Sequence, residues 1–131
     1  MAIWNAGATR RWHTNTDLAH TVDRVDGHGA RVAKIIIALH PDPSPELIKE
    51  ALIHDDGEYV VGDIPAPIKA AWPTLSEILR GAEGATLDRF YGEREPLTPF
   101  EKKWLKFADR LDAYLWAKQH MEVLAEADRL S

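Results

Sequence analysis

Apolar residues recur along this chain at the spacing of α-helices, and no segment shows the alternation of a β-strand. From Val22 to Leu39 they fall three or four positions apart, which predicts a mostly buried helix that ends at His40-Pro41. A second helix is predicted to begin at Pro45, with Ser44 as its N-terminal cap, and to lead into His54. The first half of the chain therefore predicts two helices joined by a proline-rich turn.

The second half of the chain predicts helices as well. A short helix is expected around Pro67 to Trp72, and a long one from near Thr74 to Gly92. The last major helix is predicted to run from Pro99 to about His120, followed by a short closing helix over residues 121–131. We therefore expect an all-α fold, with the whole chain of 131 residues in a single domain.

The last major helix is predicted to open with a capping box, in which the Thr98 hydroxyl and the Glu101 carboxylate each satisfy a backbone N–H of the other residue. Its apolar positions predict a core face of six residues: Phe100, Trp104, Phe107, Ala108, Leu111 and Leu115. Asp109 lies on the adjacent stripe and borders this face. It is expected either to pair with Lys106 or Arg110 in solvent or to serve a site in the interior.

Composition limits the classes of function. Hydrophobic residues make up 45% and charged residues 28% of the chain, which is ordinary for a globular protein, and no stretch approaches the ~20 apolar residues of a membrane span. The net charge is −5 and the basic residues are dispersed, so a nucleic-acid polymer is not expected as a partner. The first residues lack the pattern of a signal peptide, and a cytoplasmic location is the expectation. Because the chain has no cysteine, any bound metal must be held by nitrogen and oxygen.

One stretch concentrates reactive side chains directly after the second predicted helix. His54 and Asp55 are adjacent, and both can reach one cation only where several helices meet. Glu58 follows one turn later, a position that suits a base acting on water better than a metal ligand. The prolines that follow must leave the helix, so the carboxylate of Asp63 is expected on a loop near the same helix end. A His-Asp pair alone is weak evidence, because chance can place one at the exposed end of a helix.

Other candidate residues lie in separate segments. His28 stands on the first turn of the first predicted helix, and glycines on either side leave room around its imidazole. Alone, His28 would be a cap or a surface residue, and Asp109 an acid paired in solvent. Together with His54 and Asp55 they offer the nitrogen and oxygen ligands that a divalent ion prefers. Nearer the N-terminus, Arg11-Trp12 is either part of a solvated arm or a grip for an anion and a base.

The order and spacing of these residues resemble the HD-domain phosphohydrolase superfamily, whose metal site is built from the pattern H…HD…D. The resemblance covers nearly the whole chain, and it is closer to one branch, the bacterial 5′-deoxynucleotidases and their phage relatives. Four motifs carry it, and they stand in this order along the chain: Arg11-Trp12 ahead of the first histidine, His54-Asp55 with Glu58 three residues later, Gly62-Asp63-Ile-Pro65-Ala-Pro67-Ile-Lys69, and Ala108-Asp109-Arg-Leu-Asp-Ala-Tyr114-Leu115. The sequence Gly27-His28-Gly29 departs from the family, which often has Glu-His or Ala-His there.

The resemblance implies an HD-domain helical bundle with one metal site where several helices converge. It implies one divalent ion. Nitrogen and oxygen ligands suit Co²⁺, Mn²⁺, Fe²⁺, Ni²⁺ and Zn²⁺, and availability decides among them. Four residues would hold it: His28, His54, Asp55 and Asp109. Glu58 and Asp63 would be the catalytic residues that act on the attacking water and the leaving oxygen. The substrate would be bound by Arg11, Trp12 and Lys69.

The reaction that the resemblance implies is hydrolysis of a deoxynucleotide, first of all a deoxynucleoside 5′-monophosphate to deoxynucleoside and phosphate. A relative of the same fold cleaves deoxynucleoside triphosphates such as dATP to the nucleoside and triphosphate, and the motifs do not separate the two reactions. A nucleotide sensor without turnover and a purely structural helical module are two further hypotheses for this chain. A homo-oligomer is expected, because five tryptophans in a small chain, including Trp4 and Trp72 outside clear helix faces, indicate a contact between subunits.

Overall fold

The computed structural model describes residues 1–62 and 66–130, and this part of the chain contains seven helices and no strand. They are α1 (Ala2–Gly7), α2 (Val25–Leu39), α3 (Pro45–Ile53), α4 (Glu58–Val61), α5 (Ala66–Ala71), α6 (Pro73–Tyr91) and α7 (Pro99–Leu130). The prediction of an all-α fold is confirmed. None of the described helices is long and apolar enough to cross a membrane.

The start of α2 is tied to the N-terminal segment. α2 begins at Val25, three residues later than predicted, because Arg24 takes an extended conformation (φ −106°, ψ 155°) as its N-cap. Arg10 and Arg24 form an isolated antiparallel bridge, and the Arg11 backbone N–H donates to the Asp23 carbonyl at 2.8 Å. These contacts place the N-terminal segment beside the first turn of α2.

The sequence predicts neither α1 nor the full length of α7. α1 is a six-residue helix in a segment that has no apolar periodicity of its own. α7 continues through His120 to Leu130, because no glycine or proline follows Pro99 to interrupt it. The predicted break near His120 is therefore wrong.

The buried face of α7 also differs from the predicted one. Of its six expected core residues only Ala108 is fully buried, whereas Phe100 and Phe107 are 65% and 49% exposed. Asp112, one turn after Ala108, is buried because it bonds charged groups on α2. Because of this polar contact, α7 turns Asp112 toward α2 in place of the predicted apolar face. The two phenylalanines are left at the surface.

α2 is the central helix, and it packs against both α3 and α7. The core cluster contains six residues from these three helices: Val32, Ala33, Ile36, Leu47, Ala51 and Ala108. The starts of α3 and α7 are joined as well, since the Ser44 hydroxyl donates to the Glu101 carboxylate. The first turn of α2, the end of α3 and the middle of α7 thereby meet at one place.

Gly29 lies where α2 crosses α3, and the space beside it is occupied by the backbone of α3. A Cβ atom at this position would lie 2.6 Å from the Leu52 carbonyl oxygen, which is closer than van der Waals contact allows. The glycine therefore leaves room for a neighbouring helix, and not only for the imidazole of His28 as the sequence predicts.

We expect Gly29→Ala to lower the free energy of unfolding by about 1–3 kcal/mol, because the crowded helices must move apart. Gly81→Ala is the control: a Cβ atom at Gly81, within α6, meets nothing within 4 Å. There the higher helix propensity of alanine should raise the free energy of unfolding by up to about 1 kcal/mol. Urea unfolding measures both, and equal shifts in the two variants would contradict the close packing of α2 on α3.

Candidate metal centre

The predicted metal ligands come together where α2, α3 and α7 meet. His28 lies on the first turn of α2, His54 caps the end of α3 and is followed by Asp55, and Asp109 lies within α7. Each residue offers one ligand atom, and these four atoms all lie within 4.8 Å of one another. The structure thus assembles the whole predicted set at a single point.

The carboxylates of Asp109 and Asp55 both approach the two imidazoles. Asp109 Oδ1 is 2.6 Å from His28 Nε2 and 3.1 Å from His54 Nε2. Asp55 Oδ2 lies 3.2 and 3.4 Å from the same two nitrogens. His28 is fully buried, whereas the Asp109 side chain is 39% exposed, so the cluster is closed behind His28 and open to solvent at Asp109.

The other ring nitrogen of each histidine is held by an acceptor. His54 Nδ1 lies 2.9 Å from the Ala51 carbonyl oxygen, and His28 Nδ1 lies 2.7 Å from Asp112 Oδ2. Because a carbonyl oxygen or a carboxylate can only accept, Nδ1 carries the proton in both rings. Each imidazole therefore turns Nε2 toward the cluster, which is the arrangement found behind histidine ligands of metals.

Positive and negative groups in the cluster shift one another's pKa values. Burial lowers the pKa of His28, but hydrogen bonds to carboxylates, above all Asp109, outweigh it and raise the pKa to about 10. Burial is also outweighed at His54, where the charges of Asp55 and Asp109 raise the pKa to about 9. Burial would raise the pKa of Asp109, yet the bonds from His28 and His54 hold it below its usual range. The carboxylates and the imidazoles thus favour one another's charged forms.

We expect Co²⁺ binding at pH 7 to release about two protons, one from each imidazole. Both histidine pKa values lie above 7 in the metal-free cluster, at about 10 and about 9, and a ligating nitrogen must be deprotonated. The apparent affinity should therefore rise as the pH increases from 6 toward 9. Calorimetry in buffers of different ionisation enthalpy measures the proton count. Binding that releases no proton and is independent of pH would contradict the assignment of the histidines as ligands.

The donor set fits a divalent ion of the first transition series. It consists of two imidazole nitrogens and two carboxylate oxygens, in a chain that has no thiolate. Such nitrogen and oxygen donors bind Mn²⁺, Fe²⁺, Co²⁺, Ni²⁺ and Zn²⁺, and geometry and availability decide among them. The residues therefore form a candidate metal centre.

Neither a family model nor a curated protein nor a solved structure matches this chain. The resemblance to the HD-domain superfamily stays a prediction that rests on sequence motifs. The case for a metal centre depends on the side-chain geometry at the junction of the three helices.

Of the two predicted catalytic residues, one lies within the described residues. Glu58 begins α4, and its backbone N–H donates to the Asp55 carbonyl at 3.0 Å, so it stands one tight turn beyond a candidate ligand. Its carboxylate oxygen Oε2 is buried. Asp63 lies outside the described residues, and its role stays a prediction.

Arg11 and Trp12, which are predicted to bind the substrate, lie beside α2 and share one hydrogen-bond acceptor. Arg11 donates to Asp23 Oδ2 at 2.7 Å, and the Trp12 indole donates to the same oxygen at 3.0 Å. Trp12 has a φ of 68°, which a bulky residue rarely adopts, so the surrounding contacts hold it in place. The positive charge of Arg11 also lowers the pKa of His28, by less than burial does. The two residues therefore form an ordered segment near the cluster, and not a solvated arm.

Lys69, the other predicted substrate residue, lies on α5, and its charge acts on an acid that the sequence did not single out. Glu83 on α6 has a buried oxygen, Oε1, that makes no hydrogen bond among the described residues. Burial raises the pKa of Glu83, the charge of Lys69 lowers it, and that of Asp55 raises it. The charges of Lys69 and of the candidate ligand Asp55 therefore act on Glu83 in opposite directions.

Asp56 follows the candidate ligand Asp55 directly but has a different partner. The Tyr91 hydroxyl donates to its carboxylate, and Asp56 is 6% exposed. Burial raises the pKa of Asp56, which the bond from Tyr91 partly offsets. This pairing ties the end of α6 to the turn after α3 and leaves Asp55 to face the histidines.

Three charged residues behind the candidate ligands are absent from the sequence-based prediction. They are Asp23, Arg31 and Asp112. Two of them carry a usable signal, because Arg31 follows His28, and Asp112 follows Asp109, by three positions, which puts each on the same helix face as a candidate ligand. Asp23 precedes α2 and carries no periodic signal.

Proposed function

We propose that the protein is a metal-dependent phosphohydrolase of the HD-domain type that acts on deoxynucleotides. The observation that supports this most is the convergence of two imidazoles and two carboxylates within 4.8 Å, in the order H…HD…D along the chain. The preferred reaction is conversion of a deoxynucleoside 5′-monophosphate to deoxynucleoside and phosphate. The cytoplasmic location expected from the sequence is part of this proposal.

Four residues would hold the metal ion: His28, His54, Asp55 and Asp109. When bound, a divalent ion activates water and neutralises charge on a phosphoryl oxygen. The proposed role of Glu58 is to orient the attacking water and accept its proton as the new P–O bond forms. The bond from phosphorus to the 5′ oxygen then breaks, and a proton returns to that oxygen to give the nucleoside hydroxyl. Asp63 is the proposed partner that positions the water or hands over this proton.

Substrate binding is assigned to Arg11, Trp12 and Lys69. Negative charge spreads over the equatorial phosphoryl oxygens in the transition state of phosphoryl transfer, so cations nearby favour turnover as well as binding. A guanidinium offers a planar fork to phosphate, and an indole offers a stacking surface to sugar or base. Arg11 lies over the Trp12 ring, 5.2 Å from its centroid, so the two groups are presented together.

The partner is proposed to be a small nucleotide and not a nucleic-acid polymer, in agreement with the net charge of −5. We also propose a homo-oligomer of two or more chains. Trp4 and Trp72 are 78% and 65% exposed, and Phe100 on α7 is 65% exposed, which is the kind of apolar surface that subunit contacts cover. A sedimentation measurement of the purified protein tests this part, and a monomer at micromolar concentration would contradict it.

The test is to incubate Co²⁺-loaded protein with deoxynucleoside mono-, di- and triphosphates and to identify the products by chromatography, with His54→Ala alongside. Orthophosphate from a monophosphate, absent in the variant, is the expected result. Triphosphate released from dATP would move the assignment to a triphosphohydrolase of the same fold. Bound metal without turnover of any nucleotide would overturn the proposal in favour of a nucleotide sensor, and a protein that binds no metal would favour a structural module.

A further inference from the structure

Two buried aspartates lie behind the candidate site, and each holds one half of it. Asp112 Oδ2 pairs with His28 Nδ1 at 2.7 Å, on the far side of the ring from the cluster. Asp23 Oδ2 accepts from Arg11 Nη1 at 2.7 Å and from Trp12 Nε1 at 3.0 Å. Asp112 therefore positions a candidate metal ligand, and Asp23 positions the candidate substrate-binding residues.

Arg31, on the second turn of α2, joins these two aspartates. Its Nε donates to Asp112 Oδ1 at 2.7 Å and its Nη2 to Asp112 Oδ2 at 3.0 Å, the two-pronged geometry that a guanidinium forms with a carboxylate. The same Nη2 donates to Asp23 Oδ1 at 2.8 Å. The guanidinium lies over the Trp116 ring at 4.7 Å, and the Trp116 indole is itself held by a bond to Thr21 at 3.2 Å. These contacts leave the guanidinium little freedom to turn.

We propose that Arg31 is a positioning residue for both halves of the site, the candidate metal ligand His28 and the candidate phosphate-binding residue Arg11. This inference rests on the proposed function. Arg31 touches neither the candidate metal ligands nor the substrate residues through these bonds. It acts on them through one aspartate on each side.

The burial of the two aspartates makes Arg31 necessary to both. The Asp23 side chain is fully buried and that of Asp112 is 6% exposed, and a buried carboxylate needs charged or hydrogen-bonding partners. Without the guanidinium, the side-chain donors that remain among the described residues are His28 for Asp112, and Arg11 and Trp12 for Asp23. Each aspartate is then free to shift, and the group that it holds shifts with it.

A purely structural ion-pair network is the competing explanation, and it makes a different prediction. In that case Arg31 contributes to stability alone, and a folded Arg31 variant binds metal and phosphate as the wild type does. If Arg31 positions both halves, the folded variant loses affinity for two chemically different ligands at once. The two binding constants of the folded protein therefore separate the explanations.

The experiment compares Arg31→Gln with wild type by two titrations, after circular dichroism has shown that the variant is helical. Competition with a chelator gives the affinity for Co²⁺, which we expect to fall about 10-fold, the lower end of the loss that follows when the group behind a histidine ligand is itself removed, because Asp112 remains in the variant. Calorimetry with inorganic phosphate, at Co²⁺ concentrations that saturate both proteins, should show about 10-fold weaker binding. Because both proteins are saturated with Co²⁺, weaker metal binding by the variant does not affect its measured affinity for phosphate.

Arg24→Gln is the matched control, because Arg24 stands at the start of the same helix and pairs with an aspartate in solvent. Its Nη2 lies 2.8 Å from Asp26 Oδ2, and the two side chains are 45% and 52% exposed. This variant should bind both ligands as the wild type does. Arg31→Lys is the second test variant, since lysine keeps the charge but cannot form the two-pronged bond, and it should show the same double loss.

A double loss in a folded Arg31 variant, with Arg24→Gln unaffected, supports the proposal. Wild-type affinity for either ligand in a folded Arg31 variant overturns it and leaves the proposed function intact. Failure of the wild type itself to bind Co²⁺ and phosphate overturns the proposed function together with this inference. The two failures are therefore distinguishable.

Discussion

Asp109→Ala is expected to abolish both metal binding and turnover. The Asp109 carboxylate lies against both imidazoles, at 2.6 and 3.1 Å, so its removal takes away one ligand and the charge that attracts the ion. The loss of Co²⁺ affinity should exceed the roughly 10–100-fold loss that follows removal of a group behind a ligand. Metal analysis of the purified variant gives its metal content, and chelator competition gives its affinity for Co²⁺.

Asp88→Ala is the control for this prediction, because Asp88 is an exposed acid on α6 whose side chain is 65% exposed and pairs with Arg94 at 3.3 Å. It should retain its metal and its turnover. An Asp109→Ala protein that holds one Co²⁺ per chain as tightly as wild type would show that the ion, if any, lies elsewhere. Asp109 would then be only the carboxylate partner of the two histidines.

Glu58→Gln is expected to keep the metal and to lower the rate of hydrolysis by about 10²–10⁴-fold, the contribution typical of a general base. Glutamine retains the size of the side chain and removes its ability to accept a proton. Glu58 follows Asp55 by one tight turn, has a buried oxygen, and does not belong to the group of four candidate ligands. Steady-state kinetics at saturating Co²⁺, with the metal content measured in parallel, provide the test.

Glu77→Gln, an exposed glutamate on α6, is the matched control and should leave the rate unchanged. If Glu58→Gln hydrolyses the substrate at the wild-type rate, Glu58 is not the base. If instead it loses the metal, Glu58 belongs to the ligand set, and the water must be activated by a different residue.

Features set by local spacing could be predicted from the sequence. The Ser44 hydroxyl accepts from the Leu47 N–H at 3.1 Å, and Thr98 and Glu101 exchange bonds at 3.0 and 3.1 Å, as the cap and the capping box require. These motifs depend on residues three positions apart, so they need no knowledge of the rest of the fold. The grouping of the four candidate ligands was also predictable, because the resemblance to the H…HD…D pattern names them together.

Features set by packing between helices could not be predicted in the same way. The apolar stripe of α7 predicts that Phe107 is buried, yet the structure buries Asp112, since its partners His28 and Arg31 lie on α2 and their positions depend on the tertiary fold. Asp23 precedes α2, and its partner Arg11 is 12 residues away. Asp23 is therefore recognisable only once the fold is in place, whereas Arg31 and Asp112 are signalled by their three-residue spacing from His28 and Asp109.

The most direct test of the metal-dependent phosphohydrolase is to strip the protein with a chelator, reload it with Co²⁺, and measure phosphate release from deoxynucleoside 5′-monophosphates at each stage. We expect release by the loaded protein, none after stripping, and recovery in proportion to the Co²⁺ restored, up to one ion per chain. Hydrolysis that survives complete removal of metal, or a fully loaded protein that releases phosphate from no nucleotide, would contradict the account.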